Sequence, residues 1–418
     1  MGRRTRAVWL VWAALACGLP AAPLSAAPKN LSPAPAKAAH ATAVRLSGDS
    51  SQTSFELDLS HGVTVEVFTL AEPYRVVIDL PNVDFKLPTD AGSPAQGLAK
   101  AYRYGLFAEH KGRVVIDTTG PVAISQAQMQ RSETGNGIVL KVAFAPMDAK
   151  AFGSGTGATQ ETGAKPSKPA VYDDVPVPAK SRAKPVVVID AGHGGIDPGA
   201  MGINNVAEKT VVLAVAQQLR TALMQTGRYD VRMSRDKDVF VSLDRRLKFS
   251  RDNSADLFIS LHADSIEERN LAENIRGATV YTLSERASDE QARQMAEKEN
   301  SSDLLAGLET GDQTGKDQVK SILIDLLKRE TSNFSADFSH VLVQRLAKSI
   351  TMSREAHRSA AFKVLKQTHA PSVLVELGYM SNSADEGQMT SLPWQKQVAG
   401  SIASAIDTYF AKRTAEHP

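Results

Sequence analysis

The sequence predicts an α/β domain with a mostly parallel sheet flanked by helices, preceded by a small all-β sandwich domain. Residues 41–147 alternate apolar and polar side chains, which is the period of half-buried strands. Residues 185–413 alternate short β-branched runs with amphipathic helical stretches, which is typical of a parallel sheet covered by helices. Residues 148–184 are rich in Ala, Gly, Ser, Pro and Lys, and they predict a flexible linker between the two domains.

The first 27 residues have the pattern of an export signal. Arg3, Arg4 and Arg6 precede a short apolar core, and small residues suited to cleavage follow near Ala26. The core is too short to span a bilayer comfortably. We therefore expect residues 1–27 to be removed during export, by the Sec or the twin-arginine route, leaving a periplasmic protein without a membrane span in its mature chain.

The composition narrows the classes of function. A net charge of +2 and the absence of a basic stripe with interleaved aromatic residues argue against nucleic acid as a partner. An apolar content of 42% with 22% charged residues indicates ordinary globular protein. The only cysteine is Cys17, inside the predicted signal, so we expect the mature chain to hold any metal through His, Asp or Glu.

Each strand of the first domain is predicted by its own alternation. The clearest runs lie at 55–59, 63–67, 74–80 and 138–144. Two segments echo each other, because residues 75–79 and 113–117 both have the sequence RVVID. This domain contains no cluster of His, Asp and Glu, so it is predicted to bind rather than to catalyse. The linker would then hold the second domain near whatever the first one binds.

The elements of the second domain follow in order from similar patterns. The β-branched run from Val186 to Ile189 predicts a strand buried on both faces. Glu208 begins a helix whose apolar residues repeat every three or four positions, and Gly227 ends it. Further strands are predicted at 229–234, 256–262, 278–283 and 372–376, and further helices at 243–253 and 392–410.

The first strand of this domain leads into a polar, glycine-rich turn with the sequence DAGHGGIDPGAMG. Asp190, His193 and Asp197 lie among Gly192, Gly194, Gly195 and Gly199, so the backbone can bend sharply and a ligand can approach it closely. Open α/β sheets place their sites at the carboxyl ends of buried strands. The alternative interpretation is a tight turn that carries a surface histidine.

Three further polar residues stand where packing does not require them. Glu208 lies in the first turn of a helix, and His262 and Glu376 each end a buried strand. Together with His193, the first two form a zinc ligand set of two imidazoles and one carboxylate with an open fourth position. A carboxylate beside it, at Glu376, would suit a general base. The alternatives are a helix-dipole partner for Glu208, a core histidine for His262, and a structural carboxylate for Glu376.

Four motifs resemble those of the zinc-dependent N-acetylmuramoyl-L-alanine amidases, the amidase_3 family. They are VIDAGHGGIDPG at 188–199, EK at 208–209, SLHAD at 260–264 and VELGYMSN at 375–382. The alternating first half resembles the AMIN domain, an envelope-targeting β-sandwich. Asp264 stands where members of the amidase family often carry asparagine, and we expect no change in metal ligation from it.

The resemblance implies a function and a site. It implies one zinc ion per catalytic domain, bound by His193, Glu208 and His262, with Glu376 as the catalytic glutamate. The implied reaction is hydrolysis of the amide bond between N-acetylmuramic acid and the L-alanine of the peptidoglycan stem, for wall remodelling and daughter-cell separation. Zinc would polarise the carbonyl, and Glu376 would carry the proton from water to the leaving nitrogen.

A helical insert is predicted around residues 285–354. Division-associated amidases of this family carry such an insert as an autoinhibitory helix, which a periplasmic activator protein displaces from the zinc. By resemblance, Glu297 or Glu299 would cap the metal here. Two other functions remain open, namely a zinc peptidase acting on stem peptides and a noncatalytic wall-binding scaffold.

Overall fold

The computed structural model describes residues 37–87, 95–132, 137–152, 183–266, 275–308, 322–367 and 369–416. The predicted signal peptide, the central part of the predicted linker and the middle of the predicted insert lie outside these ranges. Within them, no helix is both long and apolar enough to cross a membrane.

The amino-terminal part is a β-sandwich, as the alternation predicts. One sheet has the strand order β5-β1-β2-β9-β8 and the other β3-β4-β7-β6. Strand β2 buries every second residue, and these side chains join those of both sheets in one apolar core. The strands are β1 Ala39–Gly48, β2 Thr53–Leu59, β3 Glu66–Leu70, β4 Arg75–Pro81, β5 Val83–Phe85, β6 Ala99–Ala108, β7 Lys111–Thr118, β8 Val122–Arg131 and β9 Ile138–Pro146.

The carboxy-terminal part is an α/β domain built on a six-stranded sheet with the order β11-β10-β12-β15-β13-β14. Most neighbours are parallel, and β13 is antiparallel to β15. The sheet therefore agrees with the mostly parallel arrangement predicted. Its strands are β10 Val186–Ala191, β11 Asp230–Met233, β12 Leu257–His262, β13 Ala278–Leu283, β14 Met352–Ala360 and β15 Ser372–Glu376.

Helices cover both faces of this sheet. Val187 and Ile189 of β10 pack on one side with three long helices, while Val186 and Val188 pack on the other. The second side also receives one face of α3, which begins the insert. The helices are α1 Glu208–Thr226, α2 Leu243–Asp252, α3 Glu290–Asn300, α4 Ser302–Leu305, α5 Ile322–Leu346, α6 Ser383–Met389 and α7 Leu392–Glu416, with a 3₁₀ turn at Lys363–Leu365.

The insert departs from the sequence prediction at its end. The predicted helical region extends to residue 354, but β14 begins at Met352 and adds an edge strand to the sheet. Its sequence, MSREAHRSA, is polar, and most of its residues are exposed or half-buried. An edge strand of this kind lacks the apolar alternation on which strand prediction depends.

Candidate metal centre and active site

Hydrogen bonds within the backbone and from one buried arginine fix the conformation of the glycine-rich turn after β10. Gly194 and Asp197 exchange backbone hydrogen bonds of 2.9 and 3.1 Å. Arg246 of α2 donates to the Asp190 carboxylate at 2.6 Å and to the carbonyl of His193 at 2.8 Å. His193 itself has a φ of 55°, a left-handed conformation that is uncommon outside glycine. The surrounding hydrogen bonds therefore hold His193 in a backbone conformation that is unfavourable for a histidine.

Asp197 orients the His193 ring. Its Oδ2 lies 2.9 Å from Nδ1 of His193, so the other ring nitrogen, Nε2, faces the interior of the site. Burial lowers the pKa of His193, but the carboxylates of Asp197, Glu208 and Glu299 outweigh it, and the net pKa is well above the usual value. The surroundings thus favour a positive charge at this position.

Glu208 is fixed by two backbone amides, one from each side of the site. Ala200 donates to its Oε2 and Ala263 donates to its Oε1, both at 2.8 Å. Oε1 also lies 3.1 Å from Nε2 of His193 and 3.3 Å from Nδ1 of His262. A Cβ at Gly199, which has a φ of 67°, would stand 2.6 Å from Oε2 of Glu208, so glycine is required there.

Glu299 of α3 completes the group from the opposite side. Its Oε2 lies 3.5 Å from Nε2 of His193 and 3.2 Å from Nδ1 of His262. His193, His262 and Glu299 form a buried cluster able to hold a metal ion. Burial, first of all, raises the pKa of Glu299, although the two histidines lower it.

The geometry and the bonding of this cluster suit a tetrahedral metal ion. Corners of a tetrahedron with bonds of about 2.0–2.1 Å lie about 3.3–3.4 Å apart, and the four nitrogen–oxygen distances here are 3.1 to 3.5 Å. Nε2 of His193 and Nδ1 of His262 are buried and make no hydrogen bond within the described residues. Two buried nitrogens without a hydrogen-bond partner, facing two carboxylates, are the arrangement that a cation would satisfy.

Glu376 lies beside His262 because β12 and β15 are paired in register at these two residues. It is fully buried, and its Oε2 accepts a hydrogen bond of 3.0 Å from the backbone N–H of Asp264. Oε1 has no hydrogen-bond partner among the described residues. Burial first, and then the carboxylates of Asp264, Glu208 and Glu299, raise the pKa of Glu376 well above its usual value.

The site is closed by α3. The space between the candidate ligands, α2 and α3 is a cavity of about 10 Å³, no larger than one water molecule requires. Of the two carboxylates predicted as caps, Glu299 is 5% exposed and faces the cluster. Glu297 does not reach it, since its side chain is on the solvent side of α3 and pairs with Arg293.

The structure therefore brings His193, Glu208, His262 and Glu376 to one edge of the sheet, with Glu299 facing them. Sequence reasoning noted Asp197 without assigning its role as the hydrogen-bond partner of His193. It also missed Arg246 and the ion pair between Lys298 of α3 and Asp264. The sequence signal available for that ion pair was the aspartate at position 264, where members of the family often carry asparagine. Nothing in the arginine-rich α2 sequence singles out Arg246.

The fold and the site define a class: an α/β protein in which two imidazoles and carboxylates form a cluster able to hold a metal ion at the carboxyl edge of its sheet. Comparisons with known proteins narrow this class. The Amidase_3 family, described as N-acetylmuramoyl-L-alanine amidase, matches residues 187–408, and the AMIN domain matches residues 43–142. The chain therefore belongs to the Amidase_3 family of N-acetylmuramoyl-L-alanine amidases and carries an AMIN domain before the amidase domain.

Two named relatives and one solved structure are similar to this chain. The chain is 30% identical over 380 residues to the N-acetylmuramoyl-L-alanine amidase AmiC of Escherichia coli, covering 88% of this chain and 89% of that protein. It is 36% identical over 237 residues to AmiA of Escherichia coli, covering 56% of this chain and 79% of that protein. Among solved structures, the catalytic domain of CwlV from Bacillus (Paenibacillus) polymyxa is 27% identical, with 54% of this chain and 98% of that chain covered and a TM-score of 0.38.

Proposed function

We propose that this enzyme is a periplasmic, zinc-dependent amidase that cleaves the bond between N-acetylmuramic acid and the L-alanine of the peptidoglycan stem peptide. The observation that carries the proposal is the convergence of His193, His262 and Glu208 at distances that suit a tetrahedral metal ion. Family membership supports the substrate class. The AMIN domain and the predicted export signal support the periplasmic location.

In this proposal His193, His262 and Glu208 hold the zinc ion. When bound, zinc supplies a Lewis acid that polarises the scissile carbonyl and makes water nucleophilic near neutral pH. Asp197 keeps the His193 ring in the tautomer that presents Nε2, which is the usual role of a carboxylate behind a ligating histidine. The amides of Ala200 and Ala263 fix the Glu208 carboxylate and leave Oε1 turned towards both imidazoles.

Glu376 is the general base and acid. The Asp264 amide fixes one carboxylate oxygen, and the other makes no hydrogen bond within the described residues, so it can accept a proton from water. The same oxygen then returns the proton to the leaving L-alanine nitrogen. A raised pKa favours this second step, because it stabilises the protonated form of the carboxyl group that donates to the nitrogen.

The arrangement described above is the inhibited form in this proposal. Glu299 is directed at the position where the substrate carbonyl has to enter, and the remaining cavity of about 10 Å³ is too small for a glycan strand. A periplasmic activator protein would displace the insert and remove Glu299 from the histidines. The insert helix is amphipathic and packs through Ala292 and Met295, so a competing apolar surface could extract it.

The test uses Glu299→Ala to open the site and Glu376→Gln to remove the base, separately and together. We expect Glu299→Ala to release intact stem peptides with a free L-alanine amino terminus from purified peptidoglycan. Adding Glu376→Gln should lower that rate by roughly 10²–10⁴-fold while the zinc content stays the same. Glu355→Gln, an exposed glutamate on β14, is the matched control and should change neither.

Mass spectrometry of the released fragments separates the alternatives. Fragments cut within the stem would identify a peptidase, and binding of peptidoglycan without any release by the zinc-loaded Glu299→Ala variant would identify a scaffold. Full activity of the Glu376→Gln variant would remove Glu376 from its proposed role.

A further inference from the structure

One face of the sheet β3-β4-β7-β6 lies against the amidase domain instead of solvent. Three arginines, on the neighbouring strands β4, β7 and β6, donate hydrogen bonds to the consecutive backbone carbonyls of residues 304–307, which lie in the first described part of the insert. Arg103 donates to Leu305 at 2.6 Å, and Arg113 donates to Ala306 at 3.0 Å and Gly307 at 3.1 Å. Arg75 donates to the carbonyl of Leu304 at 2.5 Å.

Leu304 and Leu305 are the last two residues of α4, and Ala306 and Gly307 follow it directly. The last C=O groups of a helix lack the N–H partners of a further turn, so they can accept from donors outside the helix. Cationic groups at this end also interact favourably with the helix dipole. Carboxylates fix two of these arginines in position. Asp79 accepts two hydrogen bonds from Arg113, of 2.6 and 2.9 Å. Asp117 binds Arg103 in the same way at 2.7 and 2.9 Å.

The contact explains the repeated RVVID sequence. The two copies lie on the adjacent antiparallel strands β4 and β7, where Arg75 faces Asp117 and Asp79 faces Arg113. Each copy contributes one buried arginine to the insert. Val77 and Val115, the middle residues of the copies, point away from the sandwich core and pack with Ala306. Strands β4 and β7 are therefore buried on both faces.

The same face also contacts the turn that carries His193. Gly195 and Ile196 lie against β6, where a Cβ at Gly105 would stand 2.4 Å from the carbonyl carbon of Gly195. Phe107 stacks on Phe240 with ring centroids 5.8 Å apart, and the amides of Ile196 and Phe240 both donate to the carbonyl of Leu106. The AMIN sheet thus contacts both the insert and the turn that carries the candidate ligand His193.

From these contacts we infer that this AMIN face is a docking surface for residues 302–308 of the chain's own insert. We further infer that this contact, which we call the clasp, holds the inhibitory helix over the site. The inference rests on the proposed inhibition by Glu299. Only Ser301 separates the end of α3 from the start of α4, so fixing the carbonyls of α4 fixes the helix that presents Glu299. When residues 302–308 leave the AMIN face, the inhibitory helix is free to leave the site. While these residues stay bound to the face, the helix stays in place.

The clasp can be opened without touching the metal ligands. Gly105→Ala places a methyl group against the Gly195 backbone and forces the surfaces apart, whereas Gly120→Ala adds the same methyl group in open space on the same domain. Arg103→Gln removes one carbonyl donor, and Arg45→Gln is its control, an exposed ion-paired arginine on the other sheet. Zinc content and thermal melting identify any variant that has lost the site or the fold.

We expect faster hydrogen exchange at residues 302–308 and higher basal amidase activity in Gly105→Ala and Arg103→Gln, each by about fivefold or more. The two controls should match the parent protein. Parent-like exchange and activity in both clasp variants, beside an activated Glu299→Ala variant, would overturn the clasp and leave the inhibition standing. If Glu299→Ala is not activated, the inhibition fails, and exchange at 302–308 alone then decides whether the docking surface exists.

Discussion

Lys298 of α3, the helix proposed to inhibit the enzyme, forms an ion pair with Asp264, the residue whose backbone N–H holds Glu376. Burial lowers the pKa of Lys298, but the carboxylates of Asp264, Glu208 and Glu299 together raise it above the usual value for lysine, so the amine is charged. The helix therefore brings two groups to the site, the Glu299 carboxylate to the histidines and the Lys298 ammonium to the neighbourhood of the proposed base.

Lys298→Met should raise the basal amidase activity. It leaves the buried Asp264 without its partner when α3 covers the site, which destabilises that arrangement, so the helix should leave the site more often. Dye release from labelled peptidoglycan measures the change, with Lys248→Met, an exposed lysine of α2, as the control. In an Asp264→Asn background the same substitution should have a much smaller effect, since the two residues act as one pair. Additive effects would contradict this coupling.

Metal content should distinguish ligands from supporting residues. His193→Ala and His262→Ala should each purify without zinc, because either change removes one of the two candidate imidazole ligands. Asp197→Asn should keep the metal with an affinity about 10–100-fold weaker, because it loosens the ring and removes no ligand. Elemental analysis before and after dialysis against a chelator measures both effects, and the exposed His61→Ala is the control. Full zinc occupancy in His262→Ala would contradict the proposed ligand set.

Asp190→Asn should destabilise the amidase domain in a pH-dependent way. Burial raises the pKa of Asp190, but Arg246, Ser234 and Ser260 together lower it below its usual value. The charged form therefore stabilises the fold above the unfolded pKa of about 3.9, and that contribution disappears as the pH falls through the folded value.

The wild-type advantage over Asp190→Asn, about 3–5 kcal/mol for a broken buried pair, should thus be large at pH 7 and shrink below pH of about 4. Urea midpoints at several pH values measure it. Asp230→Asn, at a half-buried aspartate paired with Arg232, is the control. An advantage that stays constant down to the lowest pH would contradict the assigned charge state.

Much of the fold and the positions of the site residues were accessible from sequence because they depend on local patterns. The β-branched run ending at Asp190 and the run ending at His262 imply parallel strands, and parallel strands bring their carboxyl ends to one edge. That argument brings His193, Glu208, His262 and Glu376 together without any coordinates. Their chemical roles remain predictions.

The rest depends on information that no local pattern contains. The choice between Glu297 and Glu299 depends on the rotation of α3 about its axis, which its packing on Tyr379 and its neighbours sets. The polar edge strand β14 has no apolar alternation. The repeated RVVID segments were visible as an echo, but their partner is a stretch of backbone carbonyls, and carbonyls have no sequence signature.

The insert leaves the sheet at the end of β13 and returns at the start of β14, and these two strands are hydrogen-bonded neighbours. The two strands are parallel, so Ala278 pairs with Met352 and Leu283 pairs with Ala360. The insert therefore leaves and re-enters the sheet at opposite edges, and both of its ends are held by the same β13–β14 ladder. Lifting α3 off the histidines requires no strand to separate, although it uncovers the apolar side chains that Ala292, Met295 and Ala296 cover. Under the proposed inhibition, displacement of α3 leaves the strands of the sheet paired, so the helix can return to the site and silence the enzyme again.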